Sequence, residues 1–149
     1  VCLGEALTDE FKTYGANVKA NAHLLAETLQ RRGVAIVSGG TDSHLVLVDV
    51  SSKGLTGQKA QDILGAVNVT SNKNPIPFDS AKPSEWKGLR LGSSAGTTRG
   101  FGKGEFEIIG NLIADLFEVA AANEDERKAV EDRARATVAN LCAAFPIYA

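Results

Sequence analysis

Apolar residues recur at steps of three and four along the first third of the chain: Leu3, Leu7, Phe11, Tyr14, Val18, Leu25 and Leu29, with one longer gap around Ala22. That spacing predicts a helical stripe. Thr8-Asp9-Glu10 interrupts it with the signature of an N-cap followed by first-turn acids, so a break is expected there. The second segment, about Asp9 to Arg32, should end at Gly33 after two arginines, which suit a helix C-terminus. The period then changes. Val34-Ala35-Ile36-Val37 and Leu45-Val46-Leu47-Val48-Asp49-Val50 are β-branched runs joined by the turn residues Ser38 to Ser43, which predicts adjacent antiparallel strands. Thr56 should cap a helix through about Leu64, followed by a short strand from Val67 to Thr70.

Three of the four prolines fall in Asn72 to Ser84, a stretch that reads as a stiff loop. Gly88-Leu89-Arg90-Leu91-Gly92 is a strand candidate, and Ser93 to Gly104 reads as a glycine-rich loop. Two helices complete the chain. Phe106, Ile109, Leu112, Ile113, Leu116, Phe117 and Ala120 mark the first; Asn123 caps the second, whose buried face should hold Val130, Ala134, Val138 and Leu141. Strands and helices are mixed without a repeat or a long linker. The expected fold is α+β, a small and mostly antiparallel sheet with packed helices.

Composition narrows the class of partner. The 149 residues are 44% hydrophobic and 23% charged, an ordinary globular balance. Sixteen basic against eighteen acidic side chains leave a net charge of -2, which offers no field for nucleic acid or an anionic membrane. No uncharged stretch approaches the roughly 20 apolar residues of a membrane span, and Glu5, Asp9 and Glu10 break up any signal-like start. Cys2 and Cys142 lie at opposite ends with no C-x-x-C and no histidine at ligand spacing, so no metal site and a reduced, cytoplasmic protein are expected. The chain contains no Met. It reads either as a processed start or as a piece of a longer protein.

Candidate chemistry concentrates at Arg90. Alternation along a strand puts Leu89 and Leu91 on one side and Arg90 on the other, with Gly88 and Gly92 expected to leave room for a ligand. A guanidinium so placed can grip a carboxylate with two parallel hydrogen bonds, or it can simply face solvent or a surface acid. The segment Gly92 to Thr98 lacks the lysine of a phosphate loop. Gly100 to Gly104 could offer backbone N–H groups to an anion, although turn formation explains the same glycines. His23 and His44 have no nucleophile signature nearby, Asp42 and His44 read as turn and strand entry, and Glu124-Asp125-Glu126 reads as a helix start. Local chemistry yields no catalytic constellation.

Four ordered segments nevertheless resemble one family: Ser38-Gly39-Gly40-Thr41-Asp42-Ser43-His44-Leu45, Lys53-Gly54-Leu55-Thr56-Gly57, Asn72-Lys73-Asn74-Pro75-Ile76-Pro77, and Gly88-Leu89-Arg90-Leu91-Gly92 through Thr97-Thr98-Arg99-Gly100-Phe101. The helix carrying Tyr14 and the closing Phe145 to Ala149 also fit. Together they are similar to the serine hydroxymethyltransferases. The resemblance implies the C-terminal domain of a fold-type I pyridoxal-phosphate-dependent transferase, with residues 1–8 as the tail of a helix shared with a large domain. It implies interconversion of serine plus tetrahydrofolate with glycine plus 5,10-methylenetetrahydrofolate, by a homodimer or dimer of dimers.

By the same resemblance Arg90 binds the amino-acid carboxylate, Asn74 meets the pteridine of the folate, and Lys82, Pro83 and Ser84 belong to the folate loop. The family's cofactor lysine follows a Thr-rich, His-containing segment, and none of the nine lysines here sits in one. No catalytic residue is therefore expected within this chain, which alone should be inactive. Two departures stand out: Gly92-Ser93-Ser94 replaces the usual Gly-Thr-Pro, and Pro83-Ser84 replaces a Pro-Phe pair. From the residues alone, a free-standing α+β module that binds a small carboxylate, or regulates through it, remains the other reading.

Overall fold

A computed structural model of the protein describes residues 1–79 and 81–147. Six helices and four strands follow in the order α1 (Cys2–Glu5), α2 (Asp9–Arg31), β1 (Ala35–Ile36), β2 (Leu45–Asp49), α3 (Gly57–Ala66), β3 (Asn72–Asn74), β4 (Gly88–Gly92), α4 (Ser94–Arg99), α5 (Lys103–Glu118) and α6 (Glu124–Ala144), with three short 3-10 turns between them. The sheet order is β1-β2-β4-β3 and every pairing is antiparallel. The fold is α+β, as the periodicity predicts.

Helix ends form where capping chemistry places them. Thr8 breaks the apolar stripe, its hydroxyl accepting from the Phe11 amide at 3.2 Å. At the other end of α2, Gly33 adopts a positive φ while Val34 N–H reaches back to the Leu29 carbonyl and Gly33 N–H to that of Gln30, a Schellman closure. Thr56 and Asn123 cap α3 and α6 in the same way as Thr8. The strand expected at Val67 to Thr70 does not form. Val67 caps α3 and Asn68 takes φ +64°, a conformation asparagine tolerates, so the chain turns before it can extend. The third strand lies instead at Asn72–Asn74, inside the stretch read as loop, because pairing with Gly88–Arg90 overrides weak local propensity. Ser94–Arg99, also read as loop, is helical.

The register of β2, β3 and β4 sorts side chains onto two faces. Val46, Val48, Leu89 and Leu91 point toward α2, α3 and α5 and are buried, joining Leu25, Leu29, Leu64, Ile113 and Phe117 in one core. Burying each such side chain contributes about 1.5–3 kcal/mol. The opposite face carries Leu45, Leu47, Asp49, Asn72, Asn74 and Arg90, all half-buried or exposed. Leu3 and Leu7 of the N-terminal stripe are 84% and 79% exposed, and α1 buries no residue. On α6 only Ala134 of the four expected positions is fully buried; Val130, Val138 and Leu141 pack at its margin. Among the described residues no helix is long and apolar enough to cross a membrane.

Candidate functional site

Arg90 occupies the middle of β4, which is hydrogen-bonded to β2 on one side and β3 on the other. Its side chain is exposed, while Leu89 and Leu91 are buried at 0% and 5%. No hydrogen bond or ion pair to Arg90 forms among the described residues. The guanidinium thus stands on a rigid mount with its five donors uncommitted.

Its direct cross-strand neighbours are Leu47 and Asn72, and Asn74 sits diagonally from it on the same face. Such diagonal neighbours are separated by roughly 7–8 Å. Asn74 donates its amide to the Pro75 carbonyl at 2.8 Å, which turns that end of the side chain toward the loop. Two of the expected site residues therefore share one sheet face.

Lys82, Pro83 and Ser84 are exposed in a tight turn closed by Glu85 N–H to the Lys82 carbonyl at 2.8 Å. The loop that holds them leaves β3 after Asn74 and re-enters β4 at Gly88. Its base is fixed: Asp79 accepts from Ala81 and Lys87 amides, and Gly57 N–H donates to the Trp86 carbonyl at 2.6 Å. The space expected at Gly88 for a ligand is already filled. A methyl group there would overlap the Asn74 carbonyl and stand 2.8 Å from Ile76 Cγ2, so this glycine serves strand packing. Gly92 is less confined, with Leu45 Cδ2 at 3.5 Å from the same added atom.

The other motifs resolve into structure. Gly102 N–H donates to Glu105 Oε2 at 2.8 Å, so the anion at the start of α5 is the protein's own carboxylate. His23 pairs with Glu27 on the exposed side of α2. The turn before β2 is held by Thr41 and Ser43 rather than by an Asp42–His44 contact. Among the described residues no three His, Cys, Asp or Glu side chains cluster at metal-binding distance, and both cysteines are free. An apolar cavity of about 270 Å³, lined by Leu91, Phe101, Phe106 and Leu141 among others, lies on the helical side of the sheet.

Three of the nine lysines are engaged with partners within the chain. The one lysine within the sheet, Lys73, projects to the face opposite Arg90 and donates to Gln58 Oε1 at 2.6 Å. Lys53 donates to the Arg32 carbonyl at 3.0 Å and Lys12 pairs with Asp9.

Periodicity reads past a group of polar contacts just beyond β4. Asn21 and Ser93, 3% and 0% exposed, are bonded to each other's elements through Thr97 and the Val18 carbonyl. The available signal is Asn21, a polar residue on the face of α2 that otherwise holds Val18, Ala22 and Leu25.

The serine hydroxymethyltransferase family model matches residues 1–113. A 2-methylserine hydroxymethyltransferase from an Aminobacter species is 60% identical over the whole chain. A serine hydroxymethyltransferase from Paramagnetospirillum magneticum is 55% identical over 99% of it, and serine hydroxymethyltransferase 2 of Ralstonia nicotianae is 52% identical over the same share. In each case the chain spans 35% of the relative's length. Three quarters of its residues lie within the family model and these identities run nearly end to end; the chain belongs to the serine hydroxymethyltransferase family.

Proposed function

We propose that the chain is the C-terminal, substrate-clamping part of a pyridoxal-phosphate-dependent hydroxymethyltransferase that moves a one-carbon unit between a 3-hydroxy amino acid and tetrahydrofolate. The relatives act by name on serine or 2-methylserine, and both substrates carry the carboxylate that Arg90 would bind. The observation that carries this reading is Arg90 itself, exposed on a doubly paired strand without a partner among the described residues. Two parallel N–H···O bonds from a fixed guanidinium orient the amino acid, so that the bond to be broken is presented in one direction.

Asn74, on the same face, is assigned to the folate, since an amide can both donate to and accept from a pteridine. Lys82, Pro83 and Ser84 are assigned to the rim of that subsite. When bound, pyridoxal phosphate supplies the electron sink for cleavage at the α-carbon. Its lysine belongs to the part of the protein that this chain does not include. The exposed side chains of Val1, Leu3 and Leu7, in and beside α1, support the reading of residues 1–8 as a helix tail packed on that part. The proposal extends to a cytoplasmic enzyme and to the homodimer or dimer of dimers that the family resemblance implies.

The test is Arg90→Ala in the full-length protein. Losing a bidentate charge-assisted pair should raise the KM for serine by about two orders of magnitude while cofactor absorbance stays unchanged. Unaltered serine affinity would refute the assignment.

A further inference from the structure

We infer that Thr97, with Asn21 and Ser93, is a positioning residue for Arg90. The inference rests on the carboxylate reading of Arg90 and concerns what holds that strand in place. Asn21 Nδ2 donates to Thr97 Oγ1 at 3.0 Å; Thr97 Oγ1 donates to the Ser93 carbonyl at 2.8 Å; Ser93 Oγ donates to the Val18 carbonyl at 2.8 Å. Val18 and Asn21 are one turn apart on α2, as are Ser93, the N-cap residue of α4, and Thr97 within it. The three bonds therefore close a circuit between the two helices. Each donor in it has an acceptor, so the network is satisfied although Asn21 and Ser93 are buried.

The circuit acts on the end of β4. Ser93 stands three residues after Arg90, and its amide donates to the His44 carbonyl at 3.0 Å, extending the β2–β4 ladder by one bond. A second Asn21 bond, to the Phe101 carbonyl at 3.1 Å, fixes the far end of α4. Tyr14 adds a contact to Thr98 Oγ1 at 3.0 Å one turn earlier on α2. Gly96 lets the helix lie against Phe101 and Phe106, where an added methyl would come within 2.9 Å of both rings. A segment of six residues has little helical stability of its own, so these contacts hold α4, and through Ser93 the place where β4 stops. The position of the Arg90 guanidinium relative to a bound carboxylate follows from that anchor.

The proposal is tested by steady-state kinetics on the full-length enzyme, with serine as the varied substrate. Thr97→Val keeps the shape and removes the hydroxyl. It removes both bonds at Thr97 Oγ1 and should raise the KM for serine about fivefold, leaving kcat within about twofold. Thr97→Ser, which restores the hydroxyl, should return KM to the parent value. Arg32→Ala, at the far end of α2, should lower the melting temperature without moving KM. A fall in melting temperature with unchanged KM in Thr97→Val would overturn the role, as would an equal KM rise in Arg32→Ala. Should Thr97→Val fail to fold, Ser93→Ala removes the bond to Val18 and the longer one to the His44 carbonyl, at 3.4 Å, and must itself raise KM; an unchanged value there overturns the proposal too. Arg90→Lys, measured alongside, separates the two ideas. If it leaves KM unchanged, the carboxylate reading fails and the circuit's role falls with it; if it raises KM while Thr97→Val does not, the circuit alone is at fault.

Discussion

Gly88 and Arg90 stand two residues apart on one strand in opposite surroundings. Arg90 projects into open space, whereas Gly88 is pressed between the Asn74 carbonyl and Ile76. Gly88→Ala should destabilise the fold by about 1–3 kcal/mol, since backbone on β3 must shift to admit the methyl group. Urea unfolding would show this as a lowered midpoint with an unchanged slope. The pattern of small residues around an arginine suggests space for a ligand, yet only the backbone approach of three segments, α3, β3 and β4, reveals which glycine is already spoken for. Sequence spacing carries alternation within a strand and nothing about which other strand lies beside it.

At the scale of elements, α2 is the member that ties the others together. Its C-terminal Arg32 donates to Asp115 at 2.7 Å, to Glu118 at 2.9 Å and to Asn111 at 3.1 Å, all on α5. The hydrogen bond to Asp115 is the main cause that raises the Arg32 pKa, with Glu118 adding to it against partial burial. The guanidinium is charged across the whole working range of pH, and the part of its stabilising effect linked to its own titration is present below its ordinary pKa and lost as pH rises through the raised one, under strongly alkaline conditions. Removing it by Arg32→Ala should cost about 1–2 kcal/mol, more than an isolated surface pair because three partners are lost together. Thermal unfolding in low and high salt would check the figure, and the difference should shrink as salt screens the pairs.

Helix limits such as these were legible because Thr8, Gly33, Thr56 and Asn123 act locally. The strand Asn72–Asn74 and the helix Ser94–Arg99 were not, since one forms only by pairing with β4 and the other only by resting on α2. The same division holds at the site. Arg90 and Asn74 are visible in the motifs, while the Asn21–Thr97–Ser93 circuit depends on residues more than 70 positions apart.

The whole molecule has one finished side and one unfinished side. Helices cover the inner face of the sheet, but Leu45, Leu47 and the Arg90 face remain accessible, and Leu3, Leu7 and Phe11 stand out from the N-terminal helices. Taken alone, the chain should fold cooperatively, bind no pyridoxal phosphate and show no serine cleavage; a cofactor absorbance band with measurable glycine formation from the isolated chain would contradict this.

β4 is one of the sheet's two inner strands, flanked by β2 on one side and by the three-residue β3 on the other. To displace Arg90, the protein would have to unzip two ladders at once. In the proposed role it would work as the fixed jaw of a vice: any closing motion around a bound amino acid would have to be made by whatever faces it, with the guanidinium as the reference point.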